Sequence, residues 1–338
     1  MIKQQNETEV TQTQQIKMPN RYELIDQFKI KLHQRCGAIA ISSDNNLVVI
    51  GCKSKLRIYQ FQQQMLKLLQ TLYSHTLDVN TLNFFQNLSN MVSGSEDKQI
   101  ILWPLINGNS NKYINKYKGK NSQILCVVLN EREDQLISGS NIIQIWKLQN
   151  GWSCIQTISE HKDFVWALSI NEYGNQLLSS GYDKLLLIFK LKKDSSLNIQ
   201  WVLIQKMEGD GIRLCWINNS LFTFQPYCKE QLILFQKYNT SQLFRKIKSI
   251  QVKKDSTLCC GFFQQKYIKE KNILVNKNGR IVNILSKLEN DDFILKQSIQ
   301  FNDYQIQGCL SNDAKYLITW DGGKNGSFEI QIRRYQEQ

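Results

Sequence analysis

Proline and histidine are scarce in this chain, with three of each, and no apolar run approaches membrane-spanning length. The longest runs, such as "ILCVVL" and "LLLIF", fall far below the roughly 20 residues a spanning helix needs, so no transmembrane segment is expected. The opening stretch "MIKQQNETEVTQTQQIKMPN" lacks the apolar h-region of a secretory signal. Its polar composition predicts a disordered tail over residues 1–20, and an intracellular, cytoplasmic or nuclear protein. No CxxC pair occurs among the nine cysteines, and only Cys259 and Cys260 adjoin. That spacing excludes the usual zinc and dithiol motifs and predicts small buried apolar residues in a reducing compartment. There is no GxxxxGK[ST] loop and no GxGxxG after a strand, so no cofactor site is expected.

What the chain has is apolar and basic residues. Hydrophobic residues make up 42% of it, enough for a large core. Basic residues number 42 against 29 acidic, a formal charge of +13. The excess is regional: residues 190–300 hold 19 basic and 9 acidic residues, and Arg245 to Arg280 holds ten against two. Such a bias makes RNA or acidic lipid a candidate partner for that region, provided the charges share a face.

The chain also repeats. "HTLDVNTLNFFQNLSNMVSGSEDKQIILW" runs from His75 to Trp103 and "HKDFVWALSINEYGNQLLSSGYDKLLLIF" from His161 to Phe189, both spanning 28 positions. Val79 aligns with Val165, Ser93 with Ser179, Asp97 with Asp183 and Lys98 with Lys184. The histidines are 86 residues apart, twice 43, and an intermediate copy closes at Trp146. Further copies close at Tyr59, Phe235, Leu285 and Arg333, with successive spacings of 44, 43, 43, 46, 50 and 48. Seven units of this period, each built of short β-branched or aromatic runs between Gly, Asn, Asp and Ser turns, predict an all-β, seven-bladed β-propeller of four-stranded antiparallel blades over residues 21–338. None of the prolines interrupts these runs.

These residues resemble the WD-repeat family, most specifically in the second to fourth blades. The resemblance implies a buried hydrogen-bond chain of His, Ser, Asp and Trp in each blade. Only the second blade has all four, as His75, Ser93, Asp97 and Trp103; the fourth has His161, Ser179 and Asp183 but closes with Phe189. The third keeps Ser138 and Trp146 but has Lys118-Gly119-Lys120 near the His position. His33 precedes the first inner strand at the equivalent place. The later blades are expected to rely on packing. With the histidines in architectural positions and "SGSED" recurring as a turn, nucleophilic and metal catalysis have no candidate set, and a non-enzymatic protein is expected.

Two strand-like segments, Trp201 to Gly209 and Phe293 to Phe301, fall where outer strands belong, and Tyr22 to Lys31 is similar to them. The chain ends without a fourth strand for its last blade, so Tyr22 to Lys31 is expected to close the ring.

The family likeness implies a scaffold or adaptor for other proteins in a multiprotein complex. It places Asn80, Glu96, Trp166 and Tyr182 on the narrower face as partner-binding candidates. Trp320, in the only Trp-Asp pair, is expected on an enlarged Gly-rich loop of that face, with Arg333 in the repeat's aromatic position. Anionic-ligand binding by the basic later blades is the alternative. A lesser one comes from residues 151–189, which look like a blade of the cytosolic iron-sulfur assembly propeller and imply an adaptor for cluster transfer.

Overall fold

A computed structural model describes residues 20–25, 30–32, 34–87, 90–105, 113–119, 122–193, 199–238, 241–322 and 328–337. The polar segment 1–19, His33 and Lys120 lie outside them.

Seven antiparallel sheets follow one another along the chain. Blade 1 runs outward through Cys36–Ile41, Leu47–Cys52, Lys55–Gln62 and Met65–Tyr73, and blade 2 through Val79–Phe84, Asn90–Ser95, Gln99–Pro104 and Asn115–Lys118. Blade 3 uses Cys126–Leu129, Gln135–Gly139, Ile143–Leu148 and Trp152–Ile158; blade 4 uses Val165–Ile170, Gln176–Gly181, Leu185–Lys193 and Ile199–Glu208. Blade 5 follows as Gly211–Asn218, Leu221–Pro226, Gln231–Lys237 and Phe244–Gln251, and blade 6 as Lys266–Ile268, Ile273–Asn278, Ile281–Lys287 and Phe293–Gln300. Pro104 and Pro226 terminate their strands, where the missing N–H costs least.

Blade 7 takes Gln307–Leu310, Tyr316–Gly322 and Phe328–Gln336 from the end of the chain and its outer strand from the beginning. Arg21–Leu24 pairs with the Arg333–Gln336 stretch, and Ile30–Leu32 with Phe328–Ile330. Tyr22 anchors this closure: its hydroxyl donates to Ala314 O at 2.5 Å, its ring lies 5.0 Å from that of Tyr335, and its backbone N–H donates to Gln297 Oε1 of blade 6 at 2.8 Å.

The core is distributed over the junctions. Each of seven apolar clusters joins two successive blades, for example Ile101 and Trp103 of blade 2 with Ile58 of blade 1, or Leu234 of blade 5 with Leu285 of blade 6. Both faces of the sheets are therefore buried, which explains why the strand runs read as continuously apolar rather than alternating. Backbone bonds stitch the same junctions. The inner-strand residues Val79 and Val165 donate to Lys53 O and Ser140 O of the preceding blades, at 2.9 and 2.6 Å. One short 3-10 turn, Lys269–Lys271, is the only helical element among the described residues, so none is long and apolar enough to cross a membrane.

Candidate functional site

In blades 2, 4 and 5 the turn after the second strand meets the start of the inner strand. Glu96 N–H donates to Asp78 O, Tyr182 N–H to Phe164 O and Tyr227 N–H to Asp210 O, at 2.9, 2.8 and 2.7 Å, so the same clasp recurs in blades 2, 4 and 5.

In blade 2 a side-chain relay fixes this turn from beneath. Trp103 Nε1–H donates to Ser93 Oγ at 2.9 Å, Ser93 Oγ lies 2.8 Å from His75 Nε2, and His75 Nδ1 lies 2.9 Å from Asp97 Oδ2. With the indole able only to donate, the Ser93 hydroxyl gives its proton to Nε2, leaving Nδ1–H to face the carboxylate. Asp97 also accepts Thr76 N–H and Gln99 N–H, both at 3.0 Å. Burial alone would raise its carboxyl, but the His75 bond and these backbone donors hold it below the usual value.

Blade 4 repeats the relay without its last link. His161 Nδ1 lies 3.0 Å from Asp183 and Nε2 lies 2.8 Å from Ser179 Oγ, while Phe189 occupies the tryptophan's place. Burial pushes His161 below its ordinary value despite the Asp183 carboxylate, which keeps the ring neutral. Gly181 leaves room for this pair, because a Cβ there would come within 2.6 Å of both His161 Nδ1 and Asp183 Oδ1. Blade 3 retains the Trp146 Nε1–H bond to Ser138 Oγ at 3.0 Å.

Blades 5 to 7 hold themselves differently. Blade 5 substitutes an aromatic cluster in which Phe222 stacks on Phe235 at 4.9 Å and meets Trp216 and Phe244 at 5.4 and 5.3 Å. An amide chain bridges blades 5 and 6: Thr223 Oγ1 donates to Gln265, Gln265 to Asn276, and Asn276 to Gln225, at 2.8, 2.8 and 2.7 Å. No period-based reading could isolate this chain, since its glutamines and asparagines look like any others in an Asn- and Gln-rich sequence. In blade 7 Arg333 stands opposite Leu317, as Trp103 stands opposite Met91, and donates to Thr319 Oγ1.

Of the partner-binding candidates, Tyr182 is 65% exposed at the tip of its turn. Trp166, half-buried beside it, lies 6.3 Å from the Tyr182 ring and 5.9 Å from that of Phe262. It rests on the backbone of Gly261, where a Cβ would come within 2.5 Å of the indole. Phe262 was not apparent as part of this group, because the segment before blade 6 has no repeat register. Glu96 is half-buried in its turn; burial and the neighbouring Asp78 raise its carboxyl, opposed by Arg35.

Two candidates require correction. Asn80 is buried and spends its amide on Ile124 O at 3.1 Å, tying blade 2 to blade 3. Trp320 does not sit on a loop: it is 0% exposed within the strand Tyr316–Gly322, in the cluster joining blades 7 and 1, and stacks on Phe328 at 5.1 Å. The second strand simply continues through the position where a turn was expected. Asp321 is buried too, accepting N–H bonds from Asn302 and Asp303, both at 3.2 Å.

Several of the ten basic residues from Arg245 to Arg280 are already engaged or buried. Lys248, Lys269, Lys271 and Arg280 pair with Asp292, Glu172, Glu337 and Asp255, Lys266 is half-buried with its Nζ donating to Leu310 O and Asn312 Oδ1, and Lys277 is buried. The nine cysteines are free; Cys36, Cys52, Cys126, Cys215 and Cys259 are buried, whereas Cys154 is exposed.

Comparison with known proteins agrees with this architecture. The model of the WD domain, G-beta repeat, matches residues 66–104 and 152–190. Over 110 residues the chain is 26% identical to the tRNA (guanine-N(7)-)-methyltransferase non-catalytic subunit wdr4 of Dictyostelium discoideum, covering 32% of this chain and 23% of that protein. Over 122 residues it is 25% identical to transducin beta-like protein 3 of Rattus norvegicus, covering 35% and 15% respectively. The chain thus matches less than a quarter of the length of either relative. The chain is therefore a seven-bladed β-propeller that contains WD repeats at residues 66–104 and 152–190.

Proposed function

We propose that this propeller is a non-enzymatic scaffold that holds a protein partner within a multiprotein complex, on the face that carries the relay turns. The observation that carries this reading is Tyr182. It is the most exposed side chain of the Trp166, Tyr182 and Phe262 group, yet its turn is clasped to Phe164 O and followed directly by Asp183, whose carboxylate is held inward on His161. A large amphipathic side chain on a rigid turn loses little entropy on binding and suits a hot-spot anchor. Trp166 and Phe262 extend its apolar surface, and Glu96 supplies a carboxylate at the equivalent turn of blade 2. One relative's name, a non-catalytic subunit, supports a role as a subunit rather than a catalyst. The ion pairs that engage Lys248, Lys269, Lys271 and Arg280, and the burial of Lys277, favour this reading over anionic-ligand binding.

Affinity purification of the Tyr182→Ala chain with mass spectrometry tests the reading. Recovery of the principal partner should fall by about tenfold or more, the effect of losing a hot-spot side chain, with the melting temperature unchanged. Full retention of the partner set would move the interface away from this face.

A further inference from the structure

The junction of blades 5 and 6 contains an arrangement that neither the repeat nor the interaction face explains. Arg213, on the inner strand of blade 5, and Lys277, on the second strand of blade 6, are both 0% exposed. Their hydrogen bonds converge on the non-strand segment between the blades, and no carboxylate among the described residues pairs with either. Arg213 Nη1–H donates to Cys259 Sγ at 3.1 Å, while its Nε–H and Nη2–H hold the carbonyls of Phe263 and Cys260. Lys277 Nζ donates to the same sulfur at 3.3 Å, and Gly279 N–H does so at 3.2 Å.

Three donors on one sulfur leave little place for an S–H proton. The acceptor it could reach, Cys260 O, lies 3.9 Å away and already takes Arg213 Nη2–H. Two buried cations also require a counter-charge, since an unpaired buried ion costs several kcal/mol. Burial pushes the Cys259 thiol up, but the Arg213 and Lys277 charges and the Gly279 N–H outweigh it and bring it down to about 7. Cys259 as a residue is 8% exposed, and its neighbour Leu258 reaches solvent.

We propose that Cys259 is a modification site for hydroperoxides, a thiolate nucleophile held between Arg213 and Lys277. The sulfur attacks one peroxide oxygen; an S–O bond forms as the O–O bond breaks, and the departing hydroxide or alkoxide takes a proton from water. The cysteine is oxidised to a sulfenic acid and the peroxide is reduced to water or an alcohol.

The test treats the native full-length chain with hydrogen peroxide in the presence of dimedone, which traps sulfenic acids, and maps the adducts by mass spectrometry across a pH series. Adduct formation at Cys259 should rise with a midpoint near pH 7, below the value of about 8.5 for a free cysteine. Lys277→Gln should move that midpoint up by about one pH unit, through loss of a neighbouring cation. A midpoint at the free-cysteine value, or labelling of Cys259 only after urea unfolding, overturns the proposal. Should Lys277→Gln fail to fold, the wild-type profile alone decides.

Discussion

Arg333 donates from Nη1 to Thr319 Oγ1 at 3.1 Å, in the register where Trp103 donates from Nε1 to Ser93 Oγ at 2.9 Å. A guanidinium thus stands in for an indole at the same blade position. It retains the bond to the hydroxyl, adds a second to Gln331 Oε1 at 2.7 Å, and lies 4.8 Å over the Phe301 ring. Removing it takes the donor from the buried Thr319 hydroxyl and the half-buried Gln331 side-chain carbonyl. Arg333→Leu should therefore lower unfolding stability by about 1–3 kcal/mol, measured by urea titration. Thr319→Val in the Arg333→Leu background should add little, because the two groups act as a pair; full additivity would show that the bond contributes nothing.

The relay in blade 4 gives stability a pH dependence. His161 is held neutral, its folded value below the unfolded one of about 6.5, so the unfolded chain binds the extra proton first. This contribution is fully present above the unfolded value and is lost as pH falls through the folded one. Between pH of about 7.5 and about 5.5, the wild-type urea midpoint should fall more steeply than that of His161→Gln, which has no proton to take up. Parallel slopes would show that His161 is not held neutral.

How far the letters of the sequence reported the fold depended on how each blade is held. Blades 2 and 4 use a His, a Ser and an Asp at fixed spacing, since only those groups can satisfy one another in that geometry, and they were legible. Blade 5 instead packs Phe222 against Phe235, Trp216 and Phe244, and blade 6 uses the amide of Asn276, leaving period and strand composition as the only signals. Trp320 was misplaced because the four extra residues between Thr319 and Arg333, in a stretch rich in Gly and Asn, suggested a loop beginning directly after Thr319. In strand register it occupies the place of Gly51, Gly94 and Gly139, where a Cβ would press on Val79, Ile124 and Val165 of the following blade. The Cys259 thiolate was invisible, because Arg213 and Lys277 lie 46 and 18 residues from it in the chain.

Closure by the N-terminal strand predicts that its loss opens the ring. Without Arg21–Leu24 and Ile30–Leu32, the final strand becomes an unpaired edge and Tyr335 loses its aromatic neighbour. Deleting residues 1–33 should lower the melting temperature sharply, and Tyr22→Ala alone should cost about 3–5 kcal/mol, as truncation of a buried aromatic does. An unchanged melting temperature in the truncated chain would sink the closure.

Trp320 separates a binding role from a structural one. At the glycine position of blades 1 to 3 the following blade brings in a branched residue, Val79, Ile124 or Val165, at or just before its inner strand. At the junction of blades 7 and 1 the indole instead shares a cluster with the smaller Cys36, so bulk is exchanged across the seam. Trp320→Ala should leave a cavity there and cost about 3–5 kcal/mol. The indole N–H is buried without an acceptor among the described residues, so Trp320→Phe, which keeps the ring against Phe328, should cost much less. Both variants, assayed below their melting temperatures, should retain the partners that Tyr182→Ala loses. If Trp320→Phe instead melts like the wild type and loses those partners, Trp320 belongs to the interface and not to the seam.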